Sequence, residues 1–209
     1  MAENPVTANP AADDLYHDGN REIQATFDSE RLADRLTQII VHDEITDEDR
    51  QFIESRDMFF ISTVDSQGRP TVSYKGGEVG FVRYVDKKTI AYPGYDGNGM
   101  FLTAGNIASN NHVGLLFIDL EKPNRLRLHG EATVDINDPL LADYVDAKYI
   151  IRITIRNIFV NCPRYVHRYQ KVEQSEYVPK EGCVAPTPEW KTFDIIQDVL
   201  PENMSRETS

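Results

Sequence analysis

Apolar residues in the N-terminal part of the chain recur with the period of a helix. Between residues 27 and 57, apolar residues recur every three or four positions, which predicts amphipathic helices. One helix is predicted over residues 27–44, with Asp28 or Ser29 as its cap. A second is predicted over residues 45–57, where Thr46 and Asp49 have the spacing of a capping box. The apolar positions of the first helix are Leu32, Leu36, Ile39 and Ile40.

From residue 58 the apolar period changes to two, which predicts strands. The alternation is clearest near the end of the series, where isoleucines alternate with arginine and threonine. A turn at residues 65–68 joins the first two strands into a hairpin. The predicted strands cover residues 58–64, 69–75, 80–85, 89–93, 113–120, 125–134 and 150–160. Six or seven short strands with few helices predict a closed or nearly closed antiparallel barrel.

Two further helices and two terminal arms complete the predicted organisation. A helix is predicted to begin near Met100, and another to cover residues 138–149 with Asp138 as N-cap and Pro139 in the first position. The fold class is therefore mainly β with flanking helices. The predicted units are a flexible arm over 1–27, a barrel domain over 28–177 and a C-terminal arm over 178–209. That arm contains one short predicted helix within residues 192–200.

Composition narrows the classes of partner. The chain has 209 residues and a formal net charge of −12, so nucleic acid and anionic membrane surfaces are not expected partners. Two cysteines are too few for a disulfide scaffold, and no Cys/His spacing suggests a metal site. No apolar run approaches a membrane span, and a cytoplasmic location is expected. A barrel of this size would cover its mouth by pairing with a second copy, which predicts a homodimer.

Two features of this acidic chain could bind an anion. Cations are clustered on strands, where they could line a phosphate pocket or belong to a solvated sheet face. The glycine-rich stretch "YPGYDGNGMF" could present backbone N–H groups before a helix, or could simply turn the chain. The cations in question are Lys75, Arg125, Arg127, Arg152, Arg156, Arg164 and Arg168.

The ordered motifs carry a resemblance to a known family. "GRPTVSYKGG", "TIAYPGYDGNGMFLTAGNIASNNHVGLLFID" and "RLRLHGEATV" resemble the pyridoxamine 5′-phosphate oxidase-related family of FMN-binding split β-barrels. The resemblance covers residues 46–170. Together with "NCPRYVHRY", it indicates a divergent bacterial subgroup and not the vitamin-making oxidase itself. It implies FMN at a homodimer interface.

The resemblance implies a set of cofactor-binding residues. The strand after the Gly-x-Pro turn lies beside the flavin ring in the family, and later positions match FMN contacts. The family's Arg-Lys phosphate clamp falls on Asn98 and Gly99, so backbone N–H groups and the Asn98 side chain are inferred to replace it. Arg125 matches a glutamine that reaches FMN. The implied set is Ser73, Tyr74, Lys75, Gly76, Tyr92, Pro93, Asn98, Gly99, Met100, Phe101 and Arg125.

The chain departs from the vitamin-making enzymes at the substrate side. The region that matches their C-terminal Trp and Arg-x-His motif contains neither, and the one Trp of the sequence, Trp190, is in the tail, so pyridoxamine 5′-phosphate oxidation is not expected. Arg164 and His167 are the substrate-side candidates, together with Cys162, which is either a thiolate near the flavin or a small packed residue. The expected function is hydride or electron transfer between a reduced nicotinamide and an unknown small acceptor. The alternatives are a non-catalytic flavin or haem binding module and a deazaflavin-dependent reductase.

Overall fold

The computed structural model describes residues 15–201 and places seven strands in one antiparallel sheet. The strand order is β2-β1-β5-β6-β7-β4-β3, so β2 and β3 form the two edges. The fold class predicted from sequence, mainly antiparallel β with flanking helices, is confirmed. The strands are Met58–Val64 (β1), Pro70–Gly76 (β2), Arg83–Asp86 (β3), Thr89–Gly94 (β4), His112–Asp119 (β5), Asn124–Asp135 (β6) and Tyr149–Val160 (β7).

Within residues 15–201, four α-helices and three short 3₁₀ helices flank the sheet. The α-helices are Asp18–Thr26 (α1), Glu30–Ile40 (α2), Asp47–Glu54 (α3) and Leu102–Ser109 (α4). The 3₁₀ helices are Pro139–Asp143, Glu189–Thr192 and Asp194–Val199. Helix α1 lies inside the range 1–27 that the sequence assigned to a flexible arm, and the sequence pattern did not predict it. Residues 1–14 of that arm lie outside the described part. In residues 15–201, no helix is long and apolar enough to cross a bilayer.

The sheet wraps around one core made of the inward-facing residues of its strands. Ile151, Ile153 and Ile155 of β7 are buried, as their alternation predicted. The Phe59 ring of β1 contacts both Phe117 of β5 and Tyr92 of β4, with centroids 5.1 and 5.0 Å apart. Because β6 and β7 separate β5 from β4 in the sheet order, these contacts require the sheet to curl. Burial of each such side chain stabilises the fold by about 1.5–3 kcal/mol.

Of the N-caps predicted for the first two helices of the sequence analysis, one is observed and the other is not. Thr46 caps α3 as predicted, since its hydroxyl accepts from the Asp49 N–H and the Asp49 carboxylate accepts from the Thr46 N–H. Ser29 precedes α2 but makes no side-chain capping hydrogen bond. The apolar face of α2 is exposed in the single chain: Leu32 is 60%, Leu36 44% and Ile39 69% exposed. The apolar period therefore predicted the helix correctly, but three of its four apolar residues are exposed, while Ile40 packs against the buried Val41 and Phe159.

The helix predicted over residues 138–149 is wrong beyond its first turn. Asp138 does accept a hydrogen bond from the Leu140 N–H as an N-cap, with Pro139 following. The helical segment then ends at Asp143, where Tyr144 becomes extended and its hydroxyl donates to the Phe81 carbonyl. Asp146 adopts a left-handed φ of 56°, which also breaks a helix. The contact to Phe81 thus outweighs the local helical pattern.

Two other boundaries differ from the predictions. The strand expected over residues 80–85 begins only at Arg83, because the Phe81 N–H closes a turn onto the Glu78 carbonyl. The helix expected near Met100 begins at Leu102, because Phe101 before it adopts a left-handed φ of 47°. In the C-terminal arm, the short helix expected within residues 192–200 is present as the 3₁₀ helix Asp194–Val199.

Candidate cofactor site

A cavity of about 340 Å³ lies between strand β2 and the segment that joins β4 to α4. Its volume falls within the range of small-molecule binding pockets. Ten of the eleven residues that the resemblance implied for the cofactor line this cavity. They are Ser73, Tyr74, Lys75, Gly76, Tyr92, Pro93, Asn98, Gly99, Met100 and Phe101. The structure thus brings these residues together, and their role in cofactor binding stays a prediction.

The curl of the sheet is what creates the cavity. Four strands, β1, β5, β6 and β7, separate β2 from β4 in the sheet order. Strands β2 and β4 nevertheless line one space. Helix α4 lies across this opening, where the Thr103 hydroxyl is 3.2 Å from the Ser73 hydroxyl of β2. On the next turn, the Asn106 amide donates to the Thr63 hydroxyl of β1 at 3.0 Å. These polar contacts hold α4 against one wall of the cavity.

Lys75 is the cation of this cavity. It lies on β2 opposite Phe59 of β1 and is partly buried. Among residues 15–201 its ammonium has neither a carboxylate partner nor a side-chain hydrogen bond, and no other Lys or Arg lines the cavity. Burial lowers the pKa of Lys75, because desolvation disfavours the charged form. A desolvated cation without a counter-charge, in a chain of net charge −12, favours the entry of an anion.

The glycine-rich turn has the backbone of a binding loop, although one expected donor is engaged. Gly99 adopts a φ of 75°, a conformation that favours glycine. The Asn98 side-chain oxygen accepts from the Met100 N–H at 3.1 Å, and its amide nitrogen lies 3.3 Å from the Met100 sulfur. The Met100 N–H is therefore engaged within the turn, and the role of the Asn98 side chain in phosphate binding stays a prediction. Helix α4 begins without a side-chain cap, which leaves its first-turn N–H groups suited to an anion.

Aromatic side chains form the other wall. The Tyr92 hydroxyl is buried and has no hydrogen-bond partner in the described structure. Burial raises the pKa of Tyr92, so the hydroxyl stays protonated and able to donate. The Tyr149 and Phe101 rings lie next to each other, with centroids 6.3 Å apart. A buried hydroxyl without a partner is uncommon, and Tyr92 is one of the residues that line the cavity.

The C-terminal arm contributes a contact that sequence reasoning missed. The Lys191 ammonium lies 2.6 Å from the Asp96 carboxylate in the glycine-rich turn. Lys191 is 8% exposed, so the arm buries this cation against the cavity loop. The two residues are 95 positions apart in the chain, and no motif links them. The one feature of the sequence that could have indicated this contact was a charged residue of opposite sign on each segment.

Arg125 is the predicted cofactor residue that does not line this cavity. It lies near the start of β6, and its guanidinium donates to the Cys162 carbonyl at 2.8 Å. The sequence analysis expected FMN at a homodimer interface, so binding of the cofactor by Arg125 stays a prediction. A role there would require the second subunit that the sequence analysis predicts. The Arg125 Nε is buried without a partner.

The three substrate-side candidates also lie elsewhere. Cys162, Arg164 and His167 follow the end of β7, and none of them lines this cavity. Cys162 is an exposed free thiol, as is Cys183. Within residues 15–201 there is no group of three or more His, Cys, Asp or Glu residues placed to hold a metal ion.

A family model described as pyridoxamine 5′-phosphate oxidase matches residues 45–179, which is more than half of the chain. The chain belongs to the pyridoxamine 5′-phosphate oxidase family. The match spans the whole sheet and every residue of the cavity. It confirms the resemblance that the sequence motifs indicated and ends before the 3₁₀ helices of the C-terminal arm.

Solved structures with a similar fold share little sequence with this chain. HupZ from Group A Streptococcus is 22% identical, with a TM-score of 0.47 over 60% of this chain and 99% of its own. A putative pyridoxamine 5′-phosphate oxidase from Lactobacillus delbrueckii is 20% identical, with a TM-score of 0.46 over 56% and 94%. An FMN-binding protein from Syntrophomonas wolfei is 12% identical, with a TM-score of 0.42 over 67% and 97%. No curated protein matches the chain. The family assignment rests on the sequence match.

Proposed function

We propose that the cavity between β2 and the β4–α4 segment binds FMN and that the protein is an FMN-dependent oxidoreductase. The observation that carries the proposal is Lys75, a partly buried cation without a counter-charge in the cavity of a strongly acidic chain. An anionic cofactor would supply the missing charge. The family to which the chain belongs supports the same choice.

The residues of the cavity fit FMN in three respects. Lys75 offers positive charge to an anionic ligand, and a cation there favours an anionic reduced ring. The uncapped first turn of α4 offers N–H groups suited to a phosphate. The Tyr92 hydroxyl lacks a protein partner and can donate to a polar atom of the ligand. These are the groups that would hold the cofactor in place of the family's cationic clamp.

FMN, when bound, supplies hydride or single-electron transfer, and the protein supplies binding, orientation and charge. The side chains of the cavity are suited to binding and orienting a cofactor that itself carries the electrons. Among the described residues, no His, Cys or Glu lines it, and its one carboxylate, Asp96, is paired with Lys191. A reaction that needs no protein base therefore fits the site best. We propose that electrons pass from a reduced nicotinamide to a small acceptor.

A homodimer is part of this proposal. The exposed apolar stripe of α2 is a surface that a second copy could cover. A second copy could also bring Arg125 toward the cofactor, which a single chain does not. Light scattering of the FMN-loaded protein should give the mass of a dimer. A monomer that binds FMN tightly would remove the dimer from the proposal and leave the cavity assignment standing.

The absorbance spectrum of the purified protein tests the cofactor directly. We expect flavin bands and release of FMN on denaturation, followed by bleaching of those bands with a reduced nicotinamide under anaerobic conditions. A Soret band would favour a haem-binding module, and a deazaflavin spectrum would favour a deazaflavin-dependent reductase. Either result, together with no binding of added FMN, would contradict the proposal. Turnover of pyridoxamine 5′-phosphate is expected to be negligible.

A further inference from the structure

A second, larger cavity of about 730 Å³ adjoins the candidate cofactor site. One wall is formed by the segment between α3 and β1 and by the end of β5. The opposite wall is formed by residues 169–179 of the chain that follows β7. Tyr74, Gly76, Tyr95 and Asp96 line both cavities, so the two spaces meet along these residues. A ligand in the larger cavity would lie next to whatever occupies the smaller one.

Residues 169–179 are held in place by contacts to the ends of the strands. The Tyr169 N–H donates to the Leu120 carbonyl at 2.9 Å. The Lys171 N–H donates to the Glu121 carboxylate at 3.0 Å, and its ammonium lies 2.5 Å from the Asp57 carboxylate. These three contacts define the cavity wall, although the segment has neither helix nor strand.

The charges of the larger cavity do not balance. Its two cations are both paired, since Arg56 lies 2.7 Å from Asp119 and Lys171 lies 2.5 Å from Asp57. Asp96 is paired with Lys191. Two carboxylates then remain without a cationic partner among residues 15–201. They are Glu121 and Glu173.

The aromatic lining of this cavity consists of tyrosines. Tyr74, Tyr95, Tyr169 and Tyr177 all contribute to it. Tyrosine rings attract a cation through their electron-rich faces and also pack against flat rings. Burial raises the pKa of Tyr74, and the nearby Asp57 carboxylate raises it further, so its ring stays neutral. Rings of this kind together with unpaired carboxylates form the environment in which proteins bind organic cations.

We infer that the larger cavity binds a small, flat organic cation, and that this cation is the substrate. The part of the inference that concerns a substrate rests on the proposed FMN function, because only a cofactor in the adjoining cavity would make the ligand a reactant. The binding of the cation rests on the larger cavity alone. Among the described residues, an anion would meet two carboxylates without a cationic partner there and no cation that lacks a carboxylate partner, so anionic substrates are disfavoured.

The test compares three flat probes of similar size and different charge. N-methylquinolinium is a cation, quinoline is neutral at pH 7.5 and quinaldate is an anion. Each is titrated by calorimetry into the protein as purified and into the protein saturated with FMN. We expect N-methylquinolinium to bind most tightly and quinaldate not to bind measurably. The double variant Glu121→Gln/Glu173→Gln should weaken binding of the cation about three- to tenfold.

Glu176→Gln is the matched control, because Glu176 is exposed on the same segment and does not line the cavity. It should leave the affinity for N-methylquinolinium unchanged. Equal binding of quinaldate, no binding of the cation, or equal weakening by Glu176→Gln would each overturn the inference. Failure of FMN to bind would instead contradict the proposed function. The titrations of the FMN-free protein would still show whether the larger cavity binds the cation.

Discussion

The two adjoining cavities differ in charge and in construction. The smaller one is framed by β2, β4 and α4, and its only cation, Lys75, has no partner among the described residues. The larger one has residues 169–179 as one wall, and its carboxylates without a cationic partner in residues 15–201 are those of Glu121 and Glu173. A strongly acidic chain thus keeps one unpaired cation in the space that the regular sheet builds. The difference suggests an anionic cofactor in the smaller cavity and a cationic ligand beside it.

Removal of the Lys75 charge should reduce FMN affinity more than any of the other substitutions. Lys75→Met removes a charge-assisted contact, which typically contributes ~1.5–3 kcal/mol to binding. FMN affinity should therefore fall about tenfold to a hundredfold, and the flavin reduction potential should become lower. Fluorescence titration and a potential determination measure the two effects.

Lys87→Met is the control for charge alone. Lys87 is exposed, lies outside both cavities and faces Glu44 at 3.4 Å. It should leave FMN affinity within about twofold of the original, since exposed charges contribute little. Equal losses in the two variants would mean that net charge, and not the position of Lys75, controls binding.

Raising the pH should weaken FMN binding at a lower pH than it weakens binding of the cation in the larger cavity. Burial lowers the pKa of Lys75 below its ordinary 10.5, and a bound anion would favour the charged form again. Binding of FMN therefore takes up a proton as the pH approaches that lowered pKa, and affinity falls as the pH rises through it. The decline should be absent in Lys75→Met. Titrations between about pH 7 and pH 10 measure it, and a parallel decline in both proteins would contradict the assignment.

A methyl group at Gly76 should displace the Tyr74 ring, and both residues line both cavities. A Cβ there would lie 2.8 Å from the Tyr74 ring, which would have to move. We expect Gly76→Ala to change the affinities for FMN and for N-methylquinolinium by about two- to fivefold, a cost in keeping with displacement of one side chain. Gly105→Ala is the control, because a Cβ there would meet no atom within 4 Å and Gly105 lines neither cavity. A change in only one affinity would show that Tyr74 does not lie between the two ligands.

The smallest effect is expected at the contact between the C-terminal arm and the glycine-rich turn. Lys191→Met removes the partner of Asp96, which is partly exposed, so the loss of unfolding free energy should be about 1 kcal/mol. Limited proteolysis should cut residues 178–201 faster in this variant. If the arm stays protected and FMN affinity is unchanged, the ion pair has no role in holding the turn.

The sequence predicted the smaller cavity better than the larger one, for a physical reason. The family resemblance placed Ser73 to Gly76, Tyr92, Pro93 and Asn98 to Phe101 in one site, and these residues lie on or beside strands whose period is local. The larger cavity depends on residues 169–179, which have no period. The contact between Lys191 and Asp96 joins positions 95 apart. Long-range contacts of irregular segments leave no pattern in a single sequence.

Three side-chain environments that the sequence did not predict have the same origin. The Arg125 guanidinium donates to the Cys162 carbonyl of the following segment, and its contact with a cofactor across a dimer interface stays a prediction. The helix over residues 138–149 was favoured by its local sequence, but Tyr144 is fixed by the Phe81 carbonyl. The apolar stripe of α2 was regular and is nevertheless exposed in one chain. In each case the partner lies far along the chain or outside it.

The central claim is that the two cavities bind ligands of opposite charge, and one crossed titration tests it most directly. FMN and N-methylquinolinium are each titrated into Lys75→Met and into Glu121→Gln/Glu173→Gln. The account predicts that Lys75→Met weakens FMN at least tenfold and leaves the cation unchanged or slightly tighter. The double variant should weaken the cation and leave FMN unchanged or slightly tighter. If either variant weakens both ligands to the same extent, the two sites are not distinct and the account is wrong.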